Sequence, residues 1–143
     1  PYSYPCRMGC DAMIILDTCA MIWDALDSDQ LTVTAKQTIE QAERHRELYL
    51  CDISIWEVAM LIKRNRLTIE TSASTFVSLF LQARNIAILS ITPEIAELSV
   101  QFGPEINNDP ADRLIAATAI LTKAPIVTAD KNLRDCALLA TIW

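Results

Sequence analysis

A chain of 143 residues, 52% hydrophobic and 21% charged, is long enough for one hydrophobic core and too apolar for an intrinsically disordered polyelectrolyte. Its 18 acids against 12 bases leave a formal charge of −6, which argues against a protein that grips nucleic acid through a broad basic face. Two glycines leave no room for a glycine-rich phosphate loop, and a single histidine disfavours a Cys/His zinc site.

Residues 1–12 lack the basic and then apolar layout of a secretory signal and match no element of the domain after them. They read as an extra tail, expected to be disordered, with Met8 and Met13 as alternative starts. The domain is expected over residues 13–143. Met13 to Leu16 is a short apolar run that stops at Asp17-Thr18, as a buried parallel strand does. Helical spacing resumes from Cys19 to Leu26, and a polar helix succeeds it from Thr34 to Arg46. Leu48 to Cys51 is the second strand, and Ser54 opens a helix to about Arg64. Thr71 to Arg84 is a helix with Phe76, Leu79, Phe80 and Ala83 on one face. Ile86 to Ile91 is the third strand, Pro93 starts a helix, and Gly103 to Asn108 is a loop. Asp109-Pro110 opens the apolar helix Ala111 to Thr122. Ile126 to Thr128, Asp130 to Asp135 and Leu138 to Trp143 read as strand, short helix and strand.

No apolar run approaches the roughly 18 residues of a membrane-spanning helix. The five cysteines are scattered, and three sit within apolar patterns as small hydrophobes, which suits a reducing cytoplasm. Strands alternating with helices predict an α/β domain with a central parallel sheet, whose ligands bind beyond the carboxyl ends of the strands.

Four acids fall at that edge. Asp17, Glu57 and Asp130 come just after strands, and Asp112 opens a helix that must pack beside them. Each has a bland explanation as a helix cap: Ser54-Ile55-Trp56-Glu57 reads as a capping box, and Asp109 as the N-cap before a first-turn proline. Jointly, four like charges at one edge repel and need a cation. Hard oxygen donors without nearby histidine or cysteine favour Mg²⁺ or Mn²⁺, the usual equipment for phosphodiester hydrolysis. A receiver or phosphatase with a nucleophilic aspartate is a rival. The phosphatase pattern, however, needs Asp-x-Asp after the first strand, where this chain has Asp17-Thr18-Cys19.

Five stretches carry a family resemblance: Ile15-Leu16-Asp17-Thr18, Ile53 to Ala59, Asp109 to Ala119, Val127-Thr128-Ala129-Asp130 and Thr141-Ile142-Trp143. In this order and spacing, residues 13–143 resemble the PIN-domain nucleases, specifically the VapC-type toxins of bacterial type II toxin–antitoxin systems. The resemblance implies a PIN-like three-layer α/β/α domain and a Mg²⁺- or Mn²⁺-dependent endoribonuclease that cuts RNA with metal-activated water. It matches the family's metal-binding quartet to Asp17, Glu57, Asp112 and Asp130; Asp130 is further read as acting through water. It also implies a cognate antitoxin partner and a homodimer. Thr18 and Thr128 are candidates to hydrogen-bond the ligating carboxylates. Asp109 is assigned to capping, and Arg113 is left between substrate phosphate and a neighbouring acid. Lys63, Arg64 and Arg66 form the densest basic patch, read as a solvated helix end ahead of a contact with the RNA backbone, and His45 reads as a surface residue. Trp23, Trp56 and Trp143 read as core or interface, with Trp56 fixing the turn before Glu57 by packing.

Overall fold

The computed structural model describes residues 13–143, so the tail expected at residues 1–12 lies outside the described residues. Among the described residues, five strands form one parallel sheet: β1 (Ile14–Leu16), β2 (Leu48–Cys51), β3 (Ala87–Leu89), β4 (Ile126–Val127) and β5 (Thr141–Ile142). Their order is β3-β2-β1-β4-β5. Seven α-helices connect them: α1 (Thr18–Leu26), α2 (Val33–Arg44), α3 (Asp52–Lys63), α4 (Ala73–Ala83), α5 (Pro93–Gln101), α6 (Pro110–Thr122) and α7 (Lys131–Asp135). The expected three-layer α/β/α architecture with a central parallel sheet is the one observed.

β1 sits in the middle of the sheet, wholly apolar and buried throughout as a strand covered on both faces must be. Ile15 lies in register with Tyr49 of β2 and Ile126 of β4, and Leu16 with Leu50 and Val127. Alternate residues feed opposite faces. Ile14, Leu16, Leu48, Leu50 and Val127 pack with Met21, Ile39, Phe76 and Phe80 from α1, α2 and α4. Ile15, Cys51 and Ile126 pack with Ile115 and Ala119 of α6. A third cluster joins Ile95 of α5, Ala116 and Ala117 of α6 and Leu133 of α7. Each fully buried Ile or Leu contributes about 2 kcal/mol through removal from water. The strand order reverses direction beside β1, since the chain first builds outward through β2 and β3 and then returns to its other side with β4. That reversal makes the ends of β1 and β4 a topological switch point, where open α/β sheets bind their ligands in a crevice.

Several element bounds differ from expectation: β5 is Thr141–Ile142 within the expected Leu138 to Trp143, α4 is Ala73–Ala83 within Thr71 to Arg84, and α3 and β3 differ as follows. α3 begins at Asp52, two residues before the serine expected to open it, and its N-cap Cys51 makes no side-chain cap bond. β2 runs straight into the helix, so Ser54 lies inside the first turn and is completely buried. The third strand is shorter than the Ile86 to Ile91 run, because its partner β2 ends at Cys51, opposite Leu89, where α3 begins.

Arg113, near the start of α6, closes the segment between α5 and α6. Its Nε donates to the carbonyl of Asn107 (2.8 Å), Nη1 to that of Phe102 (2.8 Å), and Nη2 to those of Gly103 and Ile106 (3.1 Å each). A planar five-donor group suits this task, and an ammonium cannot span it. Arg113→Lys is expected to cost about 2–4 kcal/mol by orphaning several carbonyls at once. Urea denaturation would check this, and a loss below about 1 kcal/mol would show that water replaces the guanidinium.

Candidate metal centre

Asp17 comes directly after β1 and is the N-cap of α1. Its Oδ1 accepts the Thr18 N–H (2.8 Å) and its Oδ2 accepts the Thr128 hydroxyl (2.7 Å). Thr128, just past β4, is completely buried and accepts the Asp130 N–H through the same oxygen (3.0 Å). The Asp17–Thr128 bond therefore ties the two sides of the crevice together. Asp130 in turn caps α7, taking the Leu133 N–H at 3.2 Å.

Glu57 reaches the site from the second turn of α3. The capping box expected for it does not form: its Oε1 accepts the Thr18 hydroxyl instead of the backbone of Ser54. The Thr18 and Ser54 hydroxyls lie 2.8 Å apart. With Thr18's single proton committed to the carboxylate, Ser54 is the donor of that pair. Trp56 does not fix this turn by packing, since its indole is 54% exposed. Buried Ser54 and Val58 pack there instead. Trp23 and Trp143 do pack, with ring centroids 5.8 Å apart against the first core cluster.

Asp112 lies in the first turn of α6, and its Oδ2 accepts the Asn107 side-chain amide at 2.9 Å. Asp109 caps the same helix, taking the N–H groups of Ala111 (2.8 Å) and Asp112 (3.3 Å). Arg113 faces neither an acid nor the crevice, because backbone carbonyls consume its guanidinium. Lys63, Arg64 and Arg66 are exposed at the far end of α3. His45 is exposed as expected, its ring Nδ1 2.9 Å from the Gln41 carbonyl.

Sequence reasoning missed Ser54, read as a cap, and Asn107, read as plain loop. The signal for Asn107 was present: its Oδ1 accepts the Asp109 N–H at 2.8 Å, the Asx-turn that an Asn two residues before a helix cap favours.

Burial pushes the Asp17 carboxyl up, against the bonds from Thr128 and Thr18, and repulsion from Asp130 and Asp109 adds to it. Burial also raises Glu57, against its Thr18 bond, with Asp17 and Asp109 repelling it. Asp112 is pushed up to about 7 by burial, with the Asn107 bond opposing and Asp17, Asp109 and Asp130 repelling. The Cys19 thiol on α1 rises to about 11, through desolvation and then through Asp17, Glu57, Asp112 and Asp130 in turn. All four acids thus act on one neighbourhood.

Among the described residues, no three carboxylate, thiol or imidazole groups are already converged as a ligand set. Each acid has turned to a protein donor instead. The donors fit a hard dication in chemistry: they are all oxygens, and three of the groups resist ionising until a cation offsets their burial and repulsion.

A parallel sheet in this order, with acids collected at its switch point, defines a class, and the chain belongs to the PIN domain family, whose model matches residues 14–139. It is 32% identical over 122 residues to Ribonuclease VapC22 of Mycobacterium tuberculosis, covering 85% of this chain and 90% of that protein. The fold is also that of VapBC2 from Rickettsia felis, solved bound to a promoter DNA fragment (TM-score 0.69, 14% identity, 90% of this chain and 96% of that one). DNA-bound VapBC from Salmonella typhimurium shares it as well (TM-score 0.64, 12% identity, 92% of this chain and 97% of that one). Among the described residues, no helix is long and apolar enough to cross a membrane.

A folded-state carboxyl raised from 3.8 to about 7 binds more protons than the unfolded chain, so its contribution to stability is lost as pH rises through that window. Metal-free Asp112→Asn is expected to melt on the order of 4 °C above the parent at pH 7.5 and level with it at pH 4.5. Scanning calorimetry in chelator checks this, and equal shifts at both pH values would contradict it.

Proposed function

We propose that this chain is a Mg²⁺- or Mn²⁺-dependent endoribonuclease, the toxin of a toxin–antitoxin module. One observation carries the reading: Asp17, Glu57 and Asp112 are half-buried or buried, mutually repelling and hydrogen-bonded at the switch point of a PIN domain. The 32% identity to a ribonuclease supports RNA as the substrate.

Asp17, Glu57 and Asp112 would hold the ion directly, with Asp130 acting through water. When bound, the ion would supply an activated water and offset charge on the leaving oxygen. The chain's own residues do the rest. The Thr18 N–H and the Thr128 hydroxyl hold both oxygens of Asp17, and Thr18, steadied by Ser54, holds Glu57. Glu57 keeps Oε2 and Asp112 keeps Oδ1 clear of these bonds. No covalent enzyme intermediate forms, since the attacking group is water.

Supplemented with Mg²⁺ or Mn²⁺, the protein is expected to cut RNA, and EDTA to stop it. Asp17→Asn and Asp112→Asn should each lose about a hundredfold or more while staying folded, because outer partners alone cost 10–100-fold in such sites. End-labelled RNA on a sequencing gel reads this out. Cleavage that survives EDTA or both substitutions would refute the mechanism.

The partner comes from the same reading. A groove of about 470 Å³ runs between α1 and α4, lined by Leu26, Phe76, Leu79, Phe80 and Ala83. It suits an apolar antitoxin segment laid in as a helix in a groove. VapBC relatives of this fold are themselves complexes. Exposed Ile55 and Trp56 suit the homodimer, in the cytoplasm where RNA lies. Leu79 is 56% exposed, so Leu79→Arg should fold normally and weaken antitoxin binding about tenfold or more. Titration calorimetry with the co-expressed partner decides it; undiminished affinity would place the antitoxin elsewhere.

A further inference from the structure

We propose that Asn107 is the positioning residue for the Asp112 carboxylate, aimed by Asn132, Asp109 and Arg113 so that one oxygen is held and the other is left for the ion. This rests on the metal-centre reading above.

Each polar group of Asn107 is engaged. Its carbonyl accepts Arg113 Nε–H at 2.8 Å, and its N–H donates to Asn132 Oδ1 at 3.0 Å. Its Oδ1 accepts the Asp109 N–H at 2.8 Å, and its Nδ2 donates to Asp112 Oδ2 at 2.9 Å. A flipped amide would set NH₂ against the Asp109 N–H and oxygen against a carboxylate, so the side chain has one orientation. The donor faces Asp112 because every alternative is closed. A purely structural loop residue needs only the bond to Asp109, which caps the turn; the bond to Asp112 adds nothing to it.

Asn132 gives the arrangement its reach. It lies on α7 two residues past Asp130, the N-cap of that helix. Asp112 is thus held, through Asn107 and Asn132, by the helix whose N-cap is the fourth acid. Asn132 is exposed and touches the Asn107 backbone, so its influence on Asp112 runs through Asn107 and is smaller.

The test is Mn²⁺ titration of metal-free protein, tracking free Mn²⁺ by electron paramagnetic resonance, with no RNA present. Asn107→Ala should weaken Mn²⁺ binding about 10–100-fold, the usual cost of losing an outer partner. Asn132→Ala, which keeps the Asn107 side chain and guards against misfolding, should weaken it about threefold. The double variant should match Asn107→Ala alone, because Asn132 acts through Asn107. Unchanged affinity in both single variants overturns the proposal, as do losses that add in the double variant. Asp17→Asn separates the two readings. If it binds Mn²⁺ as the parent does, the metal centre itself fails. If it loses binding while Asn107→Ala retains it, only the role of Asn107 fails.

Discussion

Carboxylates placed side by side at the dry end of a sheet oppose one another and oppose folding, and much of this molecule's local chemistry answers that conflict. Asp17 is 6% exposed, so its charge has lost most of its water. The chain returns part of that solvation with a backbone N–H and a threonine hydroxyl. Glu57 receives a hydroxyl and Asp112 a side-chain amide. These donors oppose the rise in proton affinity without cancelling it. The residual imbalance is what a dication would remove under the proposed function, and such an ion would reverse the local sign that a chain of net charge −6 presents to a phosphate backbone.

The frame around the crevice serves this. The Asp17–Thr128 bond joins residues at the ends of two adjacent strands, so the central pairing of β1 with β4 sets the spacing of the acids on either side. Asp112 depends on a different device. Its helix starts where Asp109 and Pro110 say it must, and Arg113 gathers the preceding segment onto it. For Asp17 and Asp130, capping and the proposed metal role use one arrangement, each an N-cap placed where the strand delivers it.

The strands, the α/β class and the acid-bearing edge were legible because apolar runs ending in Asp are strong local signals. Ser54 was misread because a capping-box pattern is also a local signal, and a tertiary contact with Thr18 overrode it. Of the core or interface roles read for Trp56, the packing of the turn before Glu57 fails, since its place on α3 leaves it facing solvent. Helix ends were the least legible. With two glycines in the chain, the left-handed residues that close α2, α3 and α6 are Arg46, Asn65 and Lys123. Just past each, an N–H bonds back to a carbonyl in the last turn, from Glu47 to Ala42, Arg66 to Leu61 and Ala124 to Ala119. Nothing in Arg or Lys announces that geometry, which glycine usually marks.

The strand order also dictates a timetable. β1 leaves the ribosome well before its neighbour β4, and the hydroxyl that completes Asp17 lies 111 residues further along. Until that stretch emerges, one flank of β1 has no partner and the Asp17–Thr128 bond cannot form. Half of the acidic quartet is also unmade when the first three strands have emerged, since Asp112 and Asp130 both lie beyond β3. Long-range pairing of this kind forms late, because the loop-closure entropy must be met first. The acid-bearing edge is therefore completed only once β4 and α7 have been made.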